Sequence, residues 1–265
     1  MPSAENMERK IATVIMAAGK GTRMKNPDKA KVMFEVLGKP MIEHVTKLAH
    51  SIKSTRTIVV VGFHREEVMS HVKKSAPWAD FAVQDPQLGT GHAVLQTESQ
   101  LKDFEGDVLV LSGDVPLLKH STMLDMISYH RQTKSVATIL TAELDDPSGY
   151  GRIIRNNEGS VTGIVEHKDS SEAQREIHEI NSGIYLFDNA HLFDALHHID
   201  AHNVQNEYYL TDVFQYYWKH HLHVTAKVTD DFNEIRGVNT AEQLEEAQTA
   251  LLQRNSLRQA SVKSL

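Results

Sequence analysis

The sequence predicts an α/β fold, a doubly wound and mostly parallel mixed sheet, and three observations carry that prediction. Short runs such as IATVIM at Ile11–Met16, TIVVV at Thr57–Val61 and DVLVL at Asp107–Leu111 are β-prone and apolar at nearly every position, as strands buried on both faces are. Segments with apolar residues at helical spacing alternate with them. Three glycine-bearing loops fall at the carboxyl ends of these strands, where Rossmann-like sheets bind their ligands.

The elements follow in order. Strand Ile11–Met16 runs into a Gly-rich turn at Ala17–Met24. Pro40–Ile52 carries Met41, Ile42, Val45, Leu48, Ala49 and Ile52 on one helical face, with proline at its start. Thr57–Val61 is the second strand, Glu66–Lys73 a short helix, and Phe81–Gln84 a third strand ending in the loop QDPQLGTG. His92–Leu101 reads as a helix, Asp107–Leu111 as the fourth strand, Thr122–Arg131 as a helix and Ser135–Ala142 as the fifth strand. In the second half, Tyr150–Arg155, Ser160–Val165 and Gly183–Phe187 are short β runs, the first two joined by Asn-Glu-Gly turn chemistry. Asn189–His198 and Asp212–His220 read as helices and His223–Val228 as a strand. Thr240–Arg254 is a polar-faced helix with an N-cap candidate at Asn239 or Thr240. Asn255–Leu265 is Ser-rich and free of acids, and reads as a flexible tail. There is no internal repeat, and the second half is expected to extend the same sheet and cover the site.

Bulk properties narrow the function. A chain of 265 residues suits one large α/β domain or two small ones, and 40% hydrophobic with 24% charged residues is an ordinary globular balance. With no cysteine, neither a disulfide framework nor thiolate chemistry is available. No apolar stretch approaches the ~20 residues of a membrane span, and MPSAENMERK lacks the apolar core of a secretory signal. A cytoplasmic protein with no membrane partner is expected. A net charge of −7 argues against a nucleic-acid partner, which needs a basic face. A phosphate ligand needs only a few placed cations and amides. The 16 histidines include the clusters His220, His221, His223 and His197, His198, but none has metal-site spacing, and they read as surface residues. The sequence leaves the oligomeric state open.

The chemistry-bearing residues sit in the loops. After the first strand comes Ala17-Ala18-Gly19-Lys20-Gly21-Thr22-Arg23-Met24. Its glycines allow positive φ and close approach to an anion, and successive amides can form a nest around phosphates. Lys20 and Arg23 add cationic donors. The spacing is neither a P-loop nor G-x-G-x-x-G, and alone it reads more readily as an ordinary β–α turn. In the loop after the third strand, the side-chain amides of Gln84 and Gln87 each offer a donor and an acceptor. There Gly89 allows close approach and Thr90 can cap the next helix. Gly113-Asp114 ends the fourth strand, where a carboxylate can hold Mg²⁺ against a triphosphate or simply cap a turn.

The run VIMAAGKGTRM, with Lys31 seven residues past Met24, resembles the defining segment of the sugar-1-phosphate nucleotidyltransferases. The rest of the chain is similar, in order, to the uridyltransferase part of the bacterial bifunctional N-acetylglucosamine-1-phosphate uridyltransferases. The resemblance implies the nucleotide-diphospho-sugar transferase type of fold. It implies phosphate contacts at Ala17, Ala18, Gly19, Gly21, Thr22 and Gly113, and a nucleobase loop at Gln84, Gln87, Gly89 and Thr90. It implies Lys20, Arg23 and Lys31 as catalytic cations. It implies a sugar site at Gly151 in GYGR, Glu166 in IVEHKD, Asn181 in NSG, and Tyr209 and Thr211 in EYYLTD. Mg²⁺ would be held by Asp114 and by Asn239 in GVN. Three positions depart from the family pattern: Ala30 stands where it has Pro before the lysine, Ser112 where it usually has Tyr, and Ser182 where it has Thr.

The implied partners are small molecules, a nucleoside triphosphate and a sugar 1-phosphate. We read residues 1–254 as one domain, with a nucleotide-binding part at 8–142, a sugar-binding part at 143–254 and a tail at 255–265. The hexapeptide repeats of a β-helix acetyltransferase are absent, so that activity is not expected in this chain. Two other readings stay open: the same chemistry on glucose 1-phosphate or with dTTP, and a non-catalytic sugar-nucleotide sensor. NAD-type binding is disfavoured, because the glycine spacing fails and Val61-Gly62-Phe63 offers no acid after the second strand.

Overall fold

The computed structural model describes residues 9–24, 26 and 28–263. In chain order its elements are β1 (Lys10–Ala17), β2 (Glu35–Val36), β3 (Lys39–Pro40), α1 (Met41–Ser51), β4 (Arg56–Val61), α2 (Arg65–Ser75), β5 (Ala79–Val83), α3 (Thr90–Leu95), α4 (Glu98–Leu101), β6 (Gly106–Ser112) and α5 (His120–Thr133). Then follow β7 (Ala137–Glu143), β8 (Gly151–Arg155), β9 (Val161–Val165), α6 (Glu172–Arg175), β10 (Glu179–Asp188), α7 (Asn189–Leu196), α8 (Asp212–Lys219), β11 (Val224–Val228), α9 (Phe232–Ile235) and α10 (Ala241–Lys263). Short 3-10 turns occupy Thr22–Met24 and Lys31–Met33.

The main sheet runs β11-β7-β10-β6-β1-β4-β5, with the β8–β9 hairpin attached to β10. Pairs β6·β1, β1·β4, β4·β5 and β7·β11 are parallel, and only β10 runs against its neighbours on this path. The predicted doubly wound, mostly parallel mixed sheet is therefore the observed one. The chain winds outward from β1 to β4 and β5, then returns to place β6 on the other side of β1. That reversal opens a crevice at the carboxyl ends of β1 and β6.

Alternating side chains explain the burial on both faces. Ile11 and Ile15 of β1 face one core with Val59 and Val61 of β4 and Leu109 and Leu111 of β6. There α1, α2 and α5 cover them through residues such as Ile42, Val45, Val68, Val72, Met123 and Met126. Ala12 and Val14, with Ile58, Val60, Val108 and Val110, face the opposite core under α3, α4, α7 and α8. Each fully buried aliphatic side chain of this kind contributes roughly 1.5–3 kcal/mol of burial free energy. A third cluster joins Val36, Met41, Leu117 and Val238 to Ala247 of α10.

Three predicted elements differ from the observed ones. The helix expected over His92–Leu101 is divided into α3 and α4 at Thr97, a buried residue whose hydroxyl donates to the Val94 carbonyl at 2.7 Å and competes with helical bonding. Strand β10 begins at Glu179, four residues before the expected Gly183. Polar Glu179 is buried there because Arg155 grips it at 2.6 and 2.7 Å and Thr141 donates to it at 2.8 Å. The tail expected from Asn255 is instead helical through Lys263, since residues 241–263 contain neither Gly nor Pro to stop α10. Among the described residues no helix is long and apolar enough to cross a membrane.

Candidate active site

The turn after β1 is shaped by Gly21, whose φ of +61° lies in the left-handed region. A Cβ at Gly21 would stand 2.4 Å from the Cβ of Lys31, so the Lys31 stem can cross the turn only because residue 21 is glycine. The Lys31 ammonium then donates to Asp114 Oδ2 and, at 2.6 Å, to Asn239 Oδ1. Arg23 Nη2 donates to the same Asn239 oxygen at 2.6 Å. The segment carrying Asn239 is fixed to the end of β6 by the Val238 amide, which donates to the Asp114 carbonyl at 2.9 Å. Ser112 donates to Asp114 Oδ1 at 2.6 Å and so turns the other carboxylate oxygen toward Lys31. Five side chains from three distant parts of the sequence thus meet at one charged point.

The loop after β5 folds on itself. Gln84 is buried, and its amide nitrogen donates to the Gly89 carbonyl at 2.8 Å and lies 3.2 Å from His92 Nδ1. Gln87 donates back to the Gln84 carbonyl at 3.2 Å. Gly89, at φ +112°, passes so close to residue 208 that a Cβ would lie 2.6 Å from its carbonyl oxygen. A backbone clasp results. Gly91 donates to the Tyr208 carbonyl and Tyr208 to the Leu88 carbonyl, both at 2.8 Å. Thr90 does not cap α3 as expected. Its hydroxyl accepts from the Leu210 amide at 3.0 Å, which extends the clasp.

These loops enclose a cleft of about 500 Å³ lined by Met16, Ala17, Ala18, Gly19, Lys20, Gly21, Lys31, Val32, Gln84, Gln87, Gly89, Thr90, Ala93, Ser112, Asp114 and Glu207. A second cavity of about 220 Å³ is lined by Met16, Thr90, Gly149, Tyr150, Gly151, Glu166, Asn181, Ser182, Gly183, Tyr185, Leu210 and Thr211. Met16 and Thr90 belong to both, so the cavities adjoin. The second is built at an irregularity in β10, whose pairing with β7 shifts register between Asn181 and Tyr185. Ser182, the residue that departs from Thr, donates to the Leu140 carbonyl at 2.6 Å across this break.

Electrostatics differ between the two cavities. Burial pushes the Glu166 carboxyl up, the Thr211 hydroxyl opposes this at 3.4 Å, and nearby Asp169 adds to the rise. Burial, then the charges of Asp200, Glu166 and Asp169, lifts Asp212 to about 6. Burial also raises Tyr150. Asp212 lies outside the second cavity's lining, which carries one carboxylate, Glu166, among Asn181, Ser182 and Thr211, a polar set that suits the hydroxyls of a neutral ligand. The first, with Lys20, Lys31 and the amides of the β1 turn, suits polyphosphate.

Most residues singled out in the sequence converge here. Ala17, Ala18, Gly19, Lys20, Gly21, Lys31, Gln84, Gln87, Gly89, Thr90 and Asp114 line the first cavity, and Gly151, Glu166, Asn181 and Thr211 the second. Arg23 and Asn239 stand outside the lining but join it through Lys31. Gly113 backs the cleft, its amide donating to the Met16 carbonyl at 2.9 Å. Tyr209 is outside the second cavity's lining. Burial and the charges of Asp169, Glu166, Glu207 and Asp212 push it up to about 12. The Thr22 side chain lies outside what is described. Sequence reasoning named Ser112 only as a departure and did not give it the Asp114 carboxylate to orient. Met16 read there as part of a buried strand and Val32 was not singled out, since no local signal marks either as a cavity wall.

A doubly wound sheet with a phosphate-ready turn and an acidic residue meeting at its switch point defines a nucleotidyltransferase architecture. The sequence pattern of the nucleotidyl transferase family matches residues 12–254, and the chain belongs to this family. It is 45% identical over 241 residues to the bifunctional protein GlmU of Streptococcus mutans serotype c, covering 91% of this chain and 52% of that protein. It is 47% identical over 227 residues to the bifunctional protein GlmU of Levilactobacillus brevis, covering 86% and 49%. The chain thus spans about half the length of these curated relatives. A crystal structure of UDP-glucose pyrophosphorylase complexed with UDP-glucose shares the fold at a TM-score of 0.74, with 18% identity, over 92% of this chain and 99% of that one. The resemblance read from the motifs is borne out.

Proposed function

We propose that this chain joins UTP to N-acetylglucosamine 1-phosphate, forming UDP-N-acetylglucosamine and pyrophosphate. The observation that carries the proposal is the adjacency of the two cavities through Met16 and Thr90, one suited to polyphosphate and the other to neutral hydroxyls. A nucleotide in the first presents its α-phosphate to a sugar phosphate reaching out of the second.

In this reaction a phosphate oxygen of the sugar 1-phosphate attacks the α-phosphorus of UTP in line. The bond from the α-phosphorus to the bridging oxygen breaks, and pyrophosphate leaves with that electron pair. The barrier is largely like-charge repulsion and positioning, so no covalent nucleophile is required. Lys20 and Arg23 draw the departing pyrophosphate, and Lys31 lies against the bridging phosphates. The β1 turn, Ala17–Thr22, lends amides to the phosphates. The loop Gln84–Thr90 holds uracil, with Gly89 allowing its close approach. Glu166 accepts from a sugar hydroxyl, and Asn181, Tyr209 and Thr211 flank the acetamido group beside Gly151.

Asp114 and Asn239 suit a divalent cation. Their two oxygens already converge on one positive charge, the Lys31 ammonium, and an all-oxygen pair completed by phosphates and water fits Mg²⁺. When bound, Mg²⁺ supplies charge that neutralises phosphate oxygens. Among the described residues there is no cluster of three or more His, Cys, Asp or Glu side chains able to hold a metal. The proposed site therefore depends on the substrate phosphates for its remaining ligands.

Pyrophosphate release from UTP and N-acetylglucosamine 1-phosphate, with and without Mg²⁺, tests the reading. Asp114→Ala and Arg23→Ala are each expected to fold normally and to lose roughly 10²–10³-fold in turnover, the scale seen when one charge-stabilising group is removed. Parent turnover in either variant removes that residue from the mechanism. Faster release with glucose 1-phosphate or dTTP reassigns the substrates, and nucleotide-sugar binding without any release overturns the enzymatic reading.

A further inference from the structure

Lys31 is held at three places, and one of them is outside the cleft. Its head meets Asp114 and Asn239, and its stem crosses Gly21. The residue before it, Ala30, is 1% exposed, with φ −61° and ψ 136°. That is the φ a proline ring would impose. Ala30 keeps the amide that proline lacks, and this N–H donates to Glu67 Oε2 at 3.1 Å. Glu67 lies 37 residues away on α2, whose neighbouring Val68 and Val72 are locked into the core. The Lys31 turn is thus tied by a carboxylate to a rigid helix, at the backbone position where a ring could otherwise set the geometry.

We propose that Glu67 is a positioning residue for Lys31, a side-chain tether that does for Ala30 what a proline ring would do covalently. The proposal rests on the role given to Lys31 above. A backbone amide that loses its carboxylate acceptor gives up one of the stronger kinds of hydrogen bond, and with it the tie between the turn and the helix. Releasing Ala30 lets the turn at Lys31–Met33 sample other positions. A shift of about 1 Å in a reacting group costs on the order of 10²-fold in rate, so even partial release is visible in turnover.

Four variants of the full chain test this by pyrophosphate release from UTP and N-acetylglucosamine 1-phosphate, with melting temperatures alongside. Glu67→Ala should lower kcat roughly ten-fold or more while the UTP KM moves little, since the tether acts on the reacting phosphates and not on the base loop. Glu67→Gln keeps an acceptor oxygen and should retain most of the parent kcat. Ala30→Pro alone should be slow, because its ring carbon replaces the donated hydrogen and presses on Oε2. Ala30→Pro combined with Glu67→Ala should recover much of the lost kcat, a non-additivity that a merely stabilising Glu67 would not produce. Parent-like kcat in Glu67→Ala, or a double variant no faster than Glu67→Ala, overturns the proposal. Lys31→Ala is the control for the underlying reading: if it turns over like the parent, the role of Lys31 fails, whichever way the Glu67 variants behave. Amide exchange gives a readout free of activity. The Ala30 amide should exchange faster in Glu67→Ala and not in Lys31→Ala, and unchanged protection in Glu67→Ala sinks the tether.

Discussion

Glycine placement is where single residues carry most of the site. Gly89 and Gly19 both line the first cavity, yet for different reasons. At Gly89 a Cβ would meet the Tyr208 carbonyl oxygen at 2.6 Å and its nitrogen at 2.8 Å, on a backbone at φ +112°. At Gly19 a Cβ would meet nothing within 4 Å. Gly89→Ala should therefore break the clasp to residues 208–210 and cost roughly 1–3 kcal/mol of stability, with a raised UTP KM. Gly19→Ala should leave stability within about 0.5 kcal/mol of the parent and weaken only triphosphate binding, by intruding into open cleft space. Urea unfolding and UTP titration of the two variants separate these effects, and equal stability losses would sink the distinction. The motif alone marked both glycines as permissive but could not tell them apart, because the difference lies in Tyr208, more than a hundred positions downstream. The same limit applies to Glu67 and Ser112. Their partners are set by tertiary packing, and no local pattern announces a carboxylate meeting an amide 37 residues back.

Helix α10 acts as a brace on the loop that carries Asp114. Leu244, Ala250 and Leu251 pack around Ala247 against Val36, Met41, Leu117 and Val238. Arg254 closes the contact, donating to the Leu117 carbonyl at 2.6 Å and lying 3.8 Å from Asp231. Beyond it, Asn255 and Ser256 are exposed. Arg254→Ala should lower stability by about 1–2 kcal/mol through the lost charge-assisted bond, and a chain ending at Leu257 should keep parent stability. Denaturant midpoints check both, and a truncation that costs as much as Arg254→Ala would relocate the brace to the helix end. The strands of the parallel core were legible because burial on both faces forces an unbroken apolar run. Strand β10 was legible only in its apolar half, since Glu179 and Asn181 are buried by specific partners and not by hydrophobicity. Helices α6 and α9, of four residues each, are too short to show a period. The end of α10 is hard to read locally because its Ser-rich composition resembles a tail, while the helix persists for want of any Gly or Pro to stop it.

At the scale of the molecule, both faces of one continuous sheet must stay packed for the switch point to hold its loops together. One acid-sensitive part of that packing is His130 of α5, which is 3% exposed and shares a 2.8 Å hydrogen bond with Thr138 of β7. Burial lowers its pKa to about 4, with the Arg9 charge adding, Asp188 opposing and Arg131 adding again. In the unfolded chain the ring titrates near its ordinary value of about 6.5. Between these two values the unfolded state binds a proton that the folded state refuses, so the stability contributed by neutral His130 is present above about 6.5 and is lost as pH falls toward 4. The loss approaches about 3 kcal/mol at the acid end. His130→Gln has no proton to bind, and Thr138 keeps Thr225 as a hydroxyl partner at 3.0 Å. Urea unfolding at a series of pH values from 7.5 to about 4.5 should therefore show the parent losing stability more steeply than His130→Gln, with the gap widening below pH 6.5. The carboxylates pushed up by burial, Glu166 and Asp212, titrate alike in both proteins and cancel in the comparison. Parallel curves would mean that His130 titrates in the folded protein as it does in the unfolded chain, with Asp107, whose Oδ1 lies 3.8 Å from Nε2, offsetting its burial.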